Sequence, residues 1–323
     1  MLAAYAATQS ETDPLSGLVV GDRPAPEAPA GWSVVDVRTA GLNHHDVWSL
    51  RGVGLPADRL PMILGCDAAG TDADGNEVIV HSVVPSDGWR GDETLDPRRT
   101  LLSELHQGTM AEQVMVPTAN LVPKPAGMAW ETAACLSTAW LTAYRMLFTN
   151  SGVQPGGTVL VQGAGGGVAT ALIQLGRAAG LRMWATSRDA ARADRALEIG
   201  ADRVFGSGER LPERVDAVME TVGAATWSHS VNSLQPGGTI VIAGATSGYD
   251  PRKGELNKIF FKQLKVIGST MGTRDELAQL ARFVQAAGID PVIDSVLPLD
   301  KARDGFAKMV DGDVFGKVVF TLH

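Results

Sequence analysis

Apolar and polar positions change their rhythm near residue 123. Before it the pattern alternates over short runs and turns are frequent. Val34, Val35 and Val37 predict one strand, Val78 to Val84 a second and Gln113 to Val116 a third. Between the first two, Asp74-Gly75 beside Asn76 is a hairpin signal. Pro85 to Gln107 is a polar loop containing Pro and Gly, long enough to be functional or mobile. These features predict a small β-rich domain.

After Pro123 and Pro125, helix and strand patterns alternate. Trp130 to Asn150 reads as helix, with Ala134, Leu141, Ala143 and Leu147 among its apolar positions. Thr158 to Gln162 is an apolar run suited to a buried strand, and it breaks into Gly163, Gly165, Gly166 and Gly167. Val168, Ala171, Leu172, Leu175 and Ala179 then recur at helical spacing until Gly180, and Arg182 to Ser187 is a second apolar strand. The whole is a strand, helix and parallel strand unit of about 30 residues. Ala193, Ala196 and Leu197 give a helix closing at Gly200. Val215 to Glu220, Thr239 to Ala243 and Val266 to Gly268 read as further strands. Thr273 with Glu276 forms a capping box before Leu277, Leu280, Ala281 and Val284, and Gly288 ends that helix. The fold class is therefore α/β, with a doubly wound parallel sheet complete at about residue 288 and a tail that must pack elsewhere. The division predicted is 1–122 with 289–323 for the β-rich domain and 123–288 for the Rossmann domain, with the ligand in the cleft they make.

A glycine loop opening a helix suits a diphosphate, because absent side chains let the anion approach and the first-turn amides and helix dipole favour its charge. The glycine pattern departs from a strict G-x-G-x-x-G and is followed by Ala169, a tolerable substitute where helix meets strand. An NAD enzyme usually places Asp or Glu at the end of the second strand, about 20 residues on, to hold the ribose hydroxyls. Here that position is Ser187, with Arg188 and Arg192 near it as partners for a 2′-phosphate. NADP(H) is the cofactor expected. Asp189 can cap the following helix.

The 323 residues suffice for two domains. A net charge of −8 leaves no electrostatic footprint for nucleic acid. Two cysteines, Cys66 and Cys135, exclude a four-cysteine zinc lobe and a disulfide framework and suit a reducing cytoplasm. No long apolar span calls for a membrane, and the Met1 to Ala7 run is too short and lacks a basic start.

Several motifs resemble the medium-chain dehydrogenase/reductase superfamily, and within it the zinc-free quinone oxidoreductase-like members. They are GLNHHDVWSLRG, LPMILGCDAAG, the long stretch from GTMAEQV to TAYRML, the glycine loop and the closing FGKVVF. The resemblance implies a GroES-like catalytic domain beside the Rossmann domain, a small-molecule acceptor and a homodimer. Zinc-dependent relatives carry metal ligands at positions that look here like Asn43, Cys66 and Ala134, of which two cannot bind zinc well. No metal site is expected, although one rebuilt from Cys66, Asp67 and His44 or His45 is conceivable. By the same resemblance Asn43 donates a hydrogen bond to the substrate carbonyl, His45 supplies a proton, and Asp46 keeps a shared aspartate; these are the expected catalytic residues. His44 is expected at the cofactor diphosphate and Thr142 at the nicotinamide. The glycines with Val168, then Gly244, Ala245 and Thr246, then Ser269, Thr270 and Met271, and finally Lys317, complete the expected cofactor contacts.

The expected activity is NADPH-dependent reduction of a quinone or α,β-unsaturated carbonyl. The alternatives are a zinc-type alcohol dehydrogenase and a non-catalytic NADPH-binding sensor.

Overall fold

The structure is a computed structural model and describes residues 1–322. It contains a β-rich part and a doubly wound parallel-sheet part, as the two rhythms predict, in keeping with the GroES-like and Rossmann domains that the resemblance implies. The chain divides into two compact units, Met1–Leu141 with Met271 onward, and Thr142–Thr270.

In the first unit a seven-stranded sheet runs in the order Leu121–Pro123, Glu77–Val80, Asp67–Asp72, Trp32–Leu42, Lys317–Thr321, Ile293–Pro298, with Gln113–Pro117 also pairing on Trp32–Leu42. The predicted hairpin joins Asp67–Asp72 to Glu77–Val80: Gly75 sits at φ +84°, and the Asp72 carboxylate accepts from the backbone amides of Asp74 and Asn76. The run Val78 to Val84 is two strands rather than one. The Asn120 amide donates to the carbonyls of both His81 and Val83, which draws the chain off the sheet, and Val83–Val84 pairs instead with Thr100–Leu101. The apolar run at the N-terminus, Leu2–Ala6, is the middle strand of a three-stranded sheet with Leu18–Asp22 and Met62–Ile63. The 85–107 loop is ordered by its own polar groups: Asp96 accepts from the amides of Ser86 and Arg98, and Glu93 reaches both His81 Nε2, 3.2 Å away, and the Arg274 amide. Trp89 donates to the Asp92 carbonyl at 3.0 Å and so closes its own turn.

The second unit holds six parallel strands in the order Arg203–Gly206, Arg182–Ser187, Thr158–Val161, Val215–Glu220, Leu234–Ile242, Lys265–Gly268. Numbered along the chain this is 3-2-1-4-5-6, the doubly wound order, with its switch point between Thr158–Val161 and Val215–Glu220. Leu160, Trp184, Val218 and Ile240 are buried in its core, each contributing roughly 1.5–3 kcal/mol by burial.

The units do not part at 122/123 and 288/289. Residues 123–141 and the helix Arg274–Ala287 belong with the first unit. The reason is local: the helix packs its buried face, Leu277, Leu280, Ala281 and Val284, against Leu136–Trp140 and Leu121–Pro123, and Arg274 donates to the Leu121 carbonyl. The capping box of Thr273 and Glu276 and the left-handed Gly288 at φ +61° are as expected. Trp130 to Asn150 is helical but interrupted: π-helical turns at Leu136–Trp140 and Arg145–Asn150 flank Leu141–Tyr144.

Candidate active site

Asn43 stands where the long strand Trp32–Leu42 ends and the helix His44–Leu50 begins. Its backbone amide donates to Asp46 Oδ2 at 2.8 Å, and Asp46 Oδ1 accepts from the Gly65 amide at 2.9 Å. Asp46 is fully buried, and burial pushes its carboxyl up to about 6 despite His45 and those two donors. Each oxygen accepts from a main-chain amide, so Asp46 fixes the entry of the helix against the 65 turn.

The Asn43 side chain, 7% exposed, lies in a buried polar cluster. Its Nδ2 donates to Asp67 Oδ2 at 2.9 Å, and its Oδ1 accepts from Lys317 Nζ at 2.6 Å. Lys317 also donates to Asp67 Oδ2 and to the Leu42 carbonyl, both at 2.8 Å. Lys317 is therefore not placed as a cofactor ligand: it is 2% exposed and its three protons have three acceptors within the first unit. Space is tight around this cluster. A Cβ on Gly41 would lie 2.5 Å from the Ala134 carbonyl oxygen and 2.9 Å from Asp67 Oδ2.

Cys66 is buried and donates to the Leu102 carbonyl at 3.3 Å. Burial, then the Asp46 carboxylate, holds its thiol well above the usual range. Cys135 donates to the Glu131 carbonyl and is pushed up to about 12 by burial. Among the described residues no three His, Cys, Asp or Glu side chains gather as a metal would require.

The paired histidines differ. His44 begins its helix with part of its surface open to solvent; crowding around its ring, then Lys317 and Arg51, disfavours its imidazolium. His45 is half-buried, with Nε2 3.2 Å from Ser103 Oγ and 3.8 Å from Glu104. Ser103 is buried at φ +63°, a strained conformation for a serine, and also lies 3.5 Å from Cys66 Sγ. Burial raises the Glu104 carboxyl against the pull of His45 and Arg99.

In the second unit the glycine loop lies at the switch point. Gly163 takes φ +80°, which favours glycine, and its amide donates to Thr186 Oγ1 at 3.0 Å. Gly166 precedes the helix Gly167–Ala178, which has no side-chain cap, and a Cβ on Gly166 would meet nothing within 4 Å. Open space before uncapped amides, including that of Val168, fits a diphosphate. Ser187 exchanges hydrogen bonds with the Asp189 backbone, Asp189 caps the Arg192 amide, and Arg188 is exposed. Gly244, Ala245 and Thr246 follow the fifth strand, where Thr246 donates to the Thr221 carbonyl. Ser269 and Thr270 follow the sixth, with Ser269 Oγ accepting from Asn150. Thr142 is buried at 7% exposure. Met271, at φ +48°, already belongs to the first unit.

Two groupings escape sequence reasoning. The first is the Lys317–Asp67–Asn43 cluster; its one signal is a lysine opening an apolar strand, which must find partners when buried. The second is a network at the switch point. Glu220 accepts from the amides of Val222 and Gly223 and from Thr226 and Ser230; Gln162 donates to Ser230 and accepts from Thr186. His229 Nε2 must donate to the Glu209 carbonyl, so its Nδ1 accepts from Gln162.

Residues 29–126 match the family model of the alcohol dehydrogenase GroES-like domain, and residues 167–286 that of the zinc-binding dehydrogenases. The chain is 27% identical over 326 residues to an acryloyl-coenzyme A reductase of Sulfurisphaera tokodaii, covering 95% of this chain and 97% of the relative. It is 26% identical to the human quinone oxidoreductase, covering 90% and 88%. A solved structure described as an NAD-dependent alcohol dehydrogenase superposes with a TM-score of 0.92 at 34% identity, covering 100% of both chains.

Proposed function

We propose that this chain, which belongs to the medium-chain dehydrogenase/reductase superfamily, is an NADPH-dependent oxidoreductase that reduces a quinone or an α,β-unsaturated carbonyl without a catalytic metal. One observation carries the reading: a lysine ammonium lies 2.6 Å from Asn43 and 2.8 Å from Asp67, beside the positions that resemble metal ligands in zinc-dependent relatives. A cation placed beside that ammonium is repelled by it, and the adjacent Asp67 carboxylate is already paired with the lysine. The donor set also opposes it, since an amide and the Ala134 methyl stand for two of the three ligands.

Bound NADPH supplies the hydride. The chain's own residues then need only steady an oxygen whose developing charge is spread over a conjugated system, which suits an amide donor such as Asn43. His45, held by Ser103, is the residue proposed to keep the proton delivered afterwards. The acryloyl-coenzyme A reductase and the quinone oxidoreductase among the relatives support this acceptor class. Ser187 in place of an acidic residue, with Arg188 and Arg192 close in sequence, supports the phosphorylated cofactor.

A second copy of the chain is the proposed partner. The strand Lys265–Gly268 is an open edge of the parallel sheet, and Leu256, Phe260 and Phe261 on the nearby helix are 73%, 62% and 78% exposed. No helix among the described residues is long and apolar enough to cross a membrane.

The test is oxidation of NADPH against NADH with quinones, enals and enoyl thioesters. Steady turnover with NADPH supports the proposal. Tight nucleotide binding with a blank panel favours the sensor. Alcohol oxidation with stoichiometric zinc favours the zinc-type enzyme, the reading closest to the NAD-dependent alcohol dehydrogenase structure.

A further inference from the structure

We infer that Lys317 is a positioning residue for the reduction proposed above, a fixed internal cation that polarises the Asn43 amide so that its remaining proton can hold the acceptor oxygen. The inference rests on that functional reading. A lysine ammonium only donates, so the Asn43 atom facing it is Oδ1, and Nδ2 must point the other way. One Nδ2 proton goes to Asp67 Oδ2 at 2.9 Å. The other has only the Gly41 carbonyl at 3.5 Å, at the outer limit of a hydrogen bond. Asn43 thus carries an underused N–H on an amide whose oxygen accepts a charge-assisted bond, and bonds in such a chain strengthen one another.

Asp67 completes the device. Its Oδ2 receives both Lys317 and Asn43, while its Oδ1 is buried with no hydrogen-bond partner from the protein. A structural ion pair serving stability alone has no use for an unpaired carboxylate oxygen or a loosely held amide proton, and each carries a desolvation cost. The packing beneath the cluster is close, since a methyl group on Gly41 would meet Asp67 and the Ala134 carbonyl. The cation itself never meets substrate, because Leu42, Asn43 and Asp67 take all three of its protons.

The experiment compares wild type with Lys317→Met, Asn43→Ala and the double variant, and adds Asp67→Asn/Lys317→Met as a charge-neutral pair in case the single lysine variant does not fold. Three quantities are read: the NADPH Kd, kcat at saturation for an enone, and the C=O stretch of a bound enone by difference infrared spectroscopy. The expected result is an NADPH Kd unchanged within about twofold and an enone kcat lowered about 10²-fold, the scale of losing one preorganised donor. The carbonyl stretch, shifted down in wild type, returns toward its solution value in Lys317→Met and in the charge-neutral pair. Lys317→Met adds no further loss to Asn43→Ala. An unchanged carbonyl stretch in these variants overturns the inference, as do losses that multiply in the double variant. A weakened NADPH Kd with kcat intact also overturns it, by making Lys317 a cofactor residue. Absence of wild-type turnover with the wild-type carbonyl shift intact and lost in Lys317→Met counts against the functional reading and leaves the polarising role supported.

Discussion

Ser187 is the residue through which nucleotide preference is most open to change. Its hydroxyl donates to the Asp189 carbonyl and accepts from the Asp189 amide, so it is tied into the turn that starts the helix Ala190–Glu198. In Ser187→Asp a carboxylate repels a 2′-phosphate and accepts from ribose hydroxyls instead. Charge-assisted contacts of about 1.5–3 kcal/mol predict a shift in the NADPH to NADH Kd ratio of about 10- to 100-fold toward NADH. Paired titrations check it, and an unchanged ratio contradicts the assignment. Asp46 offers a second test. Its folded pKa, about 6 against an ordinary 3.8, means the folded state keeps a proton that the unfolded chain has released. The associated stability is present below about pH 4 and is lost as pH rises through about 6, amounting to roughly 3 kcal/mol. The stability difference between wild type and Asp46→Asn, from denaturant unfolding at pH 4 and pH 7, should move by that order and in that direction.

Elements were legible where burial acts on neighbours in sequence. The parallel strands Thr158–Val161, Arg182–Ser187 and Val215–Glu220 are continuous apolar runs because both faces are covered. Gly163, Gly180, Gly200 and Gly288 announce their turns because each takes a positive φ. What breaks an element was less legible, since the cause lies elsewhere in the chain. Asn120 splits the run from Val78, and the π-helical turns within 130–150 have no local cue. Gly41 shows an element constrained by distant groups: it sits in a regular strand, yet a methyl there meets Ala134 and Asp67. Gly41→Ala should lower stability by about 1–3 kcal/mol through overpacking. It should also lower kcat more than the NADPH affinity, because Asp67 is displaced while the glycine loop lies in the other unit. Thermal unfolding beside steady-state kinetics measures both, and equal losses in kcat and NADPH affinity contradict the placement.

At the scale of the molecule, the doubly wound sheet and the return of Lys317–Thr321 to pair with Trp32–Leu42 follow from the order of patterns along the chain. The heart of the candidate site does not. Lys317 meets Asp67 across 250 residues and Asn43 across 274, and no local periodicity records such a pairing. Motif resemblance could point to Asn43, but only coordinates show that its amide is oriented by a lysine. The exposed edge and aromatic helix predict self-association: Phe260→Asp with Phe261→Asp should convert a dimer to monomer in light scattering without loss of the fold by circular dichroism. A monomeric wild type contradicts that surface assignment.

Reduction by a chain that carries its own positive charge at the candidate site needs no bound metal. The direct measurement is NADPH oxidation with an enone before and after exhaustive dialysis against a strong chelator, with metal content determined on the same samples. Turnover unchanged by chelation, at far less than one zinc per chain, is the result predicted; turnover abolished by the chelator and restored by zinc contradicts it.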